Sequence, residues 1–196
     1  MTPIRNVLVI GGSGFVGSAI AERLTATGIR IVVPTRRRER ARHLLLLPTA
    51  EVVEADIFDP PTLAGLMTGV DAVVSLVGVL HSRPGSPYGP DFARAHVDLP
   101  KRLVAAARQA GVRVVHATAS RRADAAGSNE NARLFLAVRK SPVALLPGSE
   151  ASEVVPELGP EPEDLVLNRL HGLNPMAGTD LDPILRNLGV GTLIVT

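Results

Sequence analysis

Short valine-rich apolar runs recur along the first 118 residues, and longer stretches with apolar positions at helical spacing lie between them. The runs are 6–10 (NVLVI), 29–33 (IRIVV), 51–54 (EVVE), 71–77 (DAVVSLV) and 112–117 (VRVVHA). Such near-continuous runs mark strands buried on both faces of a parallel sheet. The spacing predicts helices over 14–27, 36–46, 60–68 and 91–110. The stretch DPPTLAGL at 59–66 places Asp and Pro where a helix start favours them. Strand–helix units in series require right-handed crossovers. The pattern therefore predicts an α/β fold: a three-layer α/β/α sandwich around a doubly wound, mostly parallel sheet of order 3-2-1-4-5.

After residue 118 the rhythm weakens. A polar loop leads into a short helix, and EASEVVPELGPEPED is acidic and proline-rich. TDLDPILRNLG reads as a good helix: Thr179 can cap it, acids occupy its first turn, and Gly189 follows its end. Tail strands are expected at 164–167 and 192–196, on the fifth-strand side of the sheet. The chain is read as a single α/β domain over 1–196. Residues 1–118 form its dinucleotide-binding part and 119–196 its C-terminal segment. An unpaired edge at 192–196 would invite a homodimer.

Composition narrows the function. Hydrophobic residues make up 45% and aromatics 3%, so Val, Leu, Ile and Ala must fill the core. The formal charge of +2, and an RRRERAR run interrupted by Glu39, give no footing for a nucleic-acid partner. The absence of cysteine removes disulfides, thiolate metal sites and cysteine nucleophiles. The five histidines are scattered without ligand spacing, so no metal is expected. No apolar run reaches membrane-spanning length, and the N-terminus runs directly into a strand. A soluble cytoplasmic protein without a membrane partner is the expectation.

Chemistry enters at the first turn. Gly11, Gly14 and Gly17 follow the first strand and open the first helix. Gly11 permits a tight turn, Gly14 lets a diphosphate approach the backbone, and Gly17 lets the helix pack close to the strand. The helix N-terminus offers free amides, Ser13 adds a hydroxyl, and Phe15 stands at the helix start. This is the cradle of a Rossmann-like dinucleotide site. The second strand runs into Thr35, Arg36 and Arg37 where an acid would select NAD. Guanidiniums there can pair with a 2′-phosphate, so NADP is favoured over NAD. Asp56 is placed to meet the adenine edge, and Gly78 to border the nicotinamide ribose at the switch point of the sheet.

VLVIGGSGFVGSAIAERL, VVEADIFDP, DAVVSLVGVLHSRPG and GPDFARAHVDLPKRLVAAARQAGV together resemble the extended, atypical short-chain dehydrogenase/reductases, most of all the epimerase-like accessory subunit of respiratory complex I. The resemblance covers about residues 4–115. It implies a Rossmann domain holding NADP(H), in a role more structural than catalytic. Carried over by match, Gly11, Gly14, Gly17, Arg36, Asp56 and Gly78 would be the cofactor residues. Active members use a Tyr-x-x-x-Lys pair, in which lysine lowers the pKa of a tyrosine acid/base. Here Tyr88 is the only tyrosine and has no lysine four residues on, and the matching spacing holds Phe135 and Arg139. Phe135 has no ionisable hydroxyl. Thr118 stands at the family's helper-serine position and reads more readily as a strand-end hydrogen-bond donor. His81 and Arg83 read as a solvated loop before a substrate contact.

The tail is similar to a different family, the isochorismatase-like cysteine hydrolases, over about 103–196. The likeness rests on a strand, a G-T-D-L loop at 178–181, a helix and a final strand. That family's catalytic Asp, Lys and Cys are all missing, with Leu170 at the lysine position between Arg169 and His171. His171 reads as a surface residue. Helix 101–110 and strand 112–117 fit both families, which points to a recombined chain, whether natural or built in a laboratory. The leading reading is a chimeric NADP(H)-binding protein without a complete catalytic set. A structural chimera with no ligand and a weak NADPH-dependent oxidoreductase are the alternatives.

Overall fold

The computed structural model describes residues 4–79, 81–86, 88–128, 131–171 and 178–188. They fall into two compact units, one within residues 4–112 and one within 113–188.

The first unit holds β1 (Asn6–Ile10), α1 (Phe15–Ala26), β2 (Arg30–Thr35), a 3-10 helix (Arg38–Leu46) and β3 (Ala50–Glu54). Then come α2 (Pro60–Met67), β4 (Ala72–Ser75), α3 (Pro90–Ala93), a wide π turn (Arg94–Asp98) and α4 (Leu99–Gln109). The four strands are parallel in the order β3-β2-β1-β4. Alternation along β1 makes the layers. Val7 and Val9 join Ala21 and Leu24 of α1 and Ala41 and Leu44 of the 3-10 helix. Leu8 and Ile10 turn the other way, onto Leu63 and Met67 of α2, with Leu103 and Ala106 of α4 packed against them. Both faces of the central strand are thus dry, as the valine-rich runs require.

Local chemistry sets the element ends. Gly28 (φ +80°) closes α1: its N–H bonds to Thr25 O and that of Ile29 to Leu24 O. Gly111 (φ +71°) closes α4 in the same way, with Val112 N–H bonded to Ala107 O. Residue 112 therefore still serves the helix end, and the strand expected from 112 begins only at Val115. Asp59 caps α2, its carboxylate accepting from Thr62 N at 3.0 Å. The helix expected over 36–46 is instead two short 3-10 segments that meet at a kink at Ala41 (φ −111°, ψ 17°), with Ala41 and Leu44 fully buried.

The second unit contains β5 (Val115–Ala119), α5 (Arg133–Lys140), β6 (Leu165–Arg169) and α6 (Leu181–Asn187). The order 3-2-1-4 stands as expected within the first unit, and β5 falls in the second unit. Its hydrogen-bonded neighbour is β6, in parallel, in a ladder of two. Polar side chains of β5 and of the residue after it link the pair. His116 meets Asp164 at 3.1 Å with both side chains buried, and Thr118 donates to Asn168 at 3.3 Å. Asn168 in turn donates to the Ser120 hydroxyl at 2.7 Å. The tail strand expected at 164–167 is thus β6, on the β5 side as expected, and the order left open by the sequence puts it next to β5. The strand expected at 192–196 and the edge it would offer, like Gly189, lie outside the described residues. Thr179 accepts from Leu181 N at 3.2 Å, one residue before the N-cap Asp180. Among the described residues no helix is long and apolar enough to cross a membrane.

Candidate functional site

The carboxyl ends of β1, β2, β3 and β4 surround a cleft of about 820 Å³ in the first unit. In an open parallel sheet this is the end, and the β1–β4 reversal the place, where ligands bind. A second hollow of about 220 Å³ lies at the amino ends, near Asn6 and Arg30, away from the glycine turn.

The turn after β1 is built for close approach. Gly11 has φ +83°, and Gly14 N–H bonds to Gly11 O at 3.0 Å. A Cβ on Gly17 would strike Gly11 O and stand 2.5 Å from Gly12 Cα. No side chain caps α1 at Gly14, and Ser18 N–H is the first amide to reach back to Gly14 O. The first-turn amides are therefore open to an anion. Gly11 and Ser13 line the cleft.

The basic run sorts itself by geometry. Thr35, Arg36 and Arg37 line the cleft as the sequence suggests, and so does Arg40, which it did not single out. Arg40 N–H bonds to Arg37 O at 3.1 Å, closing the first 3-10 turn behind the extended N-cap Arg37. Arg37 and Arg40 both line the cleft, while Arg38 and Glu39 do not. Among the described residues no ion pair ties Arg36, Arg37 or Arg40 to an acid.

The remaining predicted residues fall around the cleft rather than on its wall. Gly14 and Gly17 shape the turn. The Phe15 side chain is almost fully exposed. Asp56 spends a carboxylate oxygen on Phe58 N–H, at 2.9 Å, while its neighbours Ala55 and Ile57 line the cleft. Gly78 lies between the lining residues Val77 and Val79. Sequence reasoning also missed the far wall, where the Arg94 guanidinium lies 4.1 Å over the Phe58 ring and Asp91 pairs with Arg83 at 3.5 Å. The Phe58 carbonyl is held by Arg102 at 2.9 Å.

In the second unit Phe135 and Arg139 lie on α5, one turn apart. Thr118 serves Asn168, as a strand hydroxyl would. His171 packs over Gly127, where a Cβ would lie 3.0 Å from its Cε1. Asp124, bonded to Arg122 at 2.7 Å, has its carboxyl pulled down to about 2 by that guanidinium first and by the Ala126 amide second. Among the described residues no three His, Asp or Glu side chains gather as a metal set would.

Comparison with known proteins matches this architecture. The model of the NAD dependent epimerase/dehydratase family fits residues 7–139, and that of the isochorismatase domain fits residues 85–196. UDP-glucuronic acid decarboxylase 4 of Arabidopsis thaliana is 36% identical over 61 residues, 29% of this chain and 14% of that protein. The dTDP-glucose 4,6-dehydratase DesIV of Streptomyces venezuelae, solved with NAD and DAU, is 30% identical over 58% of this chain and 39% of its own, with a TM-score of 0.47. The UDP-Glc/GlcNAc 4-epimerase of Campylobacter jejuni shares the fold at 17% identity and a TM-score of 0.50, over 59% of this chain and 37% of its own. The chain thus spans well under half the length of these relatives. It belongs to the NAD dependent epimerase/dehydratase family over residues 7–139 and to the isochorismatase domain family over residues 85–196, and the two memberships overlap across the segment that carries α3, α4, β5 and α5.

Proposed function

We propose that the first unit binds a dinucleotide, NADP(H) ahead of NAD(H), and that this chain lacks a complete catalytic set. The observation that carries the reading is the convergence of Arg36, Arg37 and Arg40 on the cleft that Gly11 and Ser13 open. The diphosphate would lie on the α1 amides, which carry the positive end of the helix dipole. A 2′-phosphate would meet the guanidiniums beyond β2, where no acid stands to prefer a free ribose hydroxyl. Thr35 holds this corner: its hydroxyl donates to Arg37 O at 3.1 Å. Asp56 and Gly78 would border the adenine and the nicotinamide ribose through the backbone beside them. The Phe135–Arg139 pair cannot supply the acid/base chemistry of a Tyr–Lys pair, because a phenyl ring has no proton to exchange.

Thermal unfolding with each nucleotide tests the reading. Free ligand at about 100 times its dissociation constant adds roughly 2.7 kcal/mol of stability. A larger melting shift with NADPH than with NADH is expected. No shift with either supports a purely structural chimera, and oxidation of NADPH by a carbonyl panel supports a weak reductase. The reading extends to a homodimer through residues 192–196. Light scattering at the 20.6 kDa monomer mass would remove that part alone.

A further inference from the structure

His96 stands on the wide turn Arg94–Asp98, and its imidazole meets the loop that follows β4. Its Nε2 lies 3.1 Å from the Val79 nitrogen and 3.0 Å from the Val79 oxygen. Phe92 packs on the ring at a 33° tilt, with centroids 4.3 Å apart. Gly78 lies beneath: a Cβ there would be 3.4 Å from His96 Cε1. The wide turn matters because Arg94 and Ala95 face the cleft while His96, the next residue, reaches Val79.

One ring nitrogen cannot donate and accept at once. With its proton on Nε2, His96 donates to the Val79 carbonyl and leaves the Val79 N–H free. With its proton on Nδ1, Nε2 accepts from the Val79 N–H and leaves the carbonyl free. Val79 lines the cleft on the β4 side of the sheet reversal. We propose that His96 is a positioning residue whose tautomer decides whether Val79 offers a bound ligand a donor or an acceptor. This rests on the dinucleotide reading above. With the 2′-phosphate at Arg36, Arg37 and Arg40 and the diphosphate at the glycine turn, the half of the ligand nearest Val79 is the nicotinamide half. Its carboxamide carries both a donor and an acceptor and can answer either state.

Calorimetric titration of NADPH and of 2′-phospho-ADP-ribose, which lacks nicotinamide, separates the proposal from the reading beneath it. In His96→Leu the Val79 loop loses the tether that positions it against the nicotinamide half, so NADPH should bind about tenfold more weakly, the size of one net hydrogen bond no longer held in place, while 2′-phospho-ADP-ribose keeps its wild-type affinity. His96→Gln, which retains a donor and an acceptor, should restore NADPH binding. Equal weakening of both ligands, an unchanged NADPH affinity, or no rescue by glutamine overturns the role of His96 with the dinucleotide reading intact. A wild-type protein that binds neither ligand overturns both. If the leucine variant does not fold, the imidazole ¹⁵N signals of wild-type His96 decide: NADPH should drive them to one tautomer, and signals indifferent to NADPH reject the proposal.

Discussion

A Cβ on Gly17 would lie 2.5 Å from the Cα of Gly12, so the first turn of α1 touches the loop that leads into it, backbone on backbone. Neither partner is a flexible side chain that could swing aside. Gly17→Ala should therefore destabilise the protein by about 1–3 kcal/mol, the range of overpacking in a tight site, and weaken nucleotide binding with it. Gly65 is the counter-case, inside α2 with nothing within 4 Å of its notional Cβ. Gly65→Ala should stabilise by about 0.5–1 kcal/mol through helix propensity. Urea unfolding of the two variants should give midpoints shifted in opposite directions.

Arg40 should act as a reader of the 2′-phosphate although it lies outside the glycine pattern. Arg40→Ala should lower NADPH affinity by about tenfold or more, as loss of a charge-assisted hydrogen bond does, and leave NADH affinity unchanged. Arg38→Ala, off the cleft wall, should change neither. Competition titration checks this, and equal losses for the two nucleotides would refute it.

The Asp124 carboxyl should titrate at about 2, below its ordinary 3.8, because Arg122 holds its charged form. The sign follows from linkage. A folded pKa below the unfolded one contributes stability that is complete above 3.8 and fades as pH falls toward about 2. Asp71 behaves in the same direction, lowered by the Arg5 amide first and the Asn6 amide second, at 2.8 and 2.9 Å. Carboxyl ¹³C shifts followed against pH should show both, and Arg122→Ala should move the Asp124 midpoint up. A wild-type midpoint at 3.8 would contradict the ion pair.

His116 and Asp164 join β5 to the entry of β6, with side chains 8% and 4% exposed. His116→Leu takes one buried hydrogen-bond partner from the Asp164 carboxylate and should cost about 1–3 kcal/mol. The double variant His116→Leu/Asp164→Leu should cost less than the sum of the two single changes, because each single change already loses the shared hydrogen bond. Full recovery is not expected, since Asp164 also accepts from Glu161 N at 3.1 Å. Additive costs in equilibrium unfolding would show the pair to be uncoupled.

Much was legible in the linear pattern. The valine runs specified four parallel strands because only a doubly covered sheet buries such residues on both faces. The glycine spacing placed the turn because only residues without a Cβ fit it. Thr35, Arg36 and Arg37 were legible as the end of β2. Arg40 was not, since which guanidiniums of the basic run reach the cleft depends on the short turn behind the extended Arg37 and the kink at Ala41. The Arg94–Phe58 stack and the His96–Val79 contact join segments 36 and 17 residues apart, and no local period announces such a meeting.

By itself, then, the sequence determined the strand–turn–helix cradle, the layer pattern and the absence of a tyrosine–lysine or cysteine apparatus, since these follow from residue type and short-range spacing. The tertiary structure alone decided that β5 pairs with β6, which guanidiniums share the cleft wall and which side chain governs Val79. Those outcomes depend on hydrogen-bond partners brought together by folding, and no short-range spacing records them.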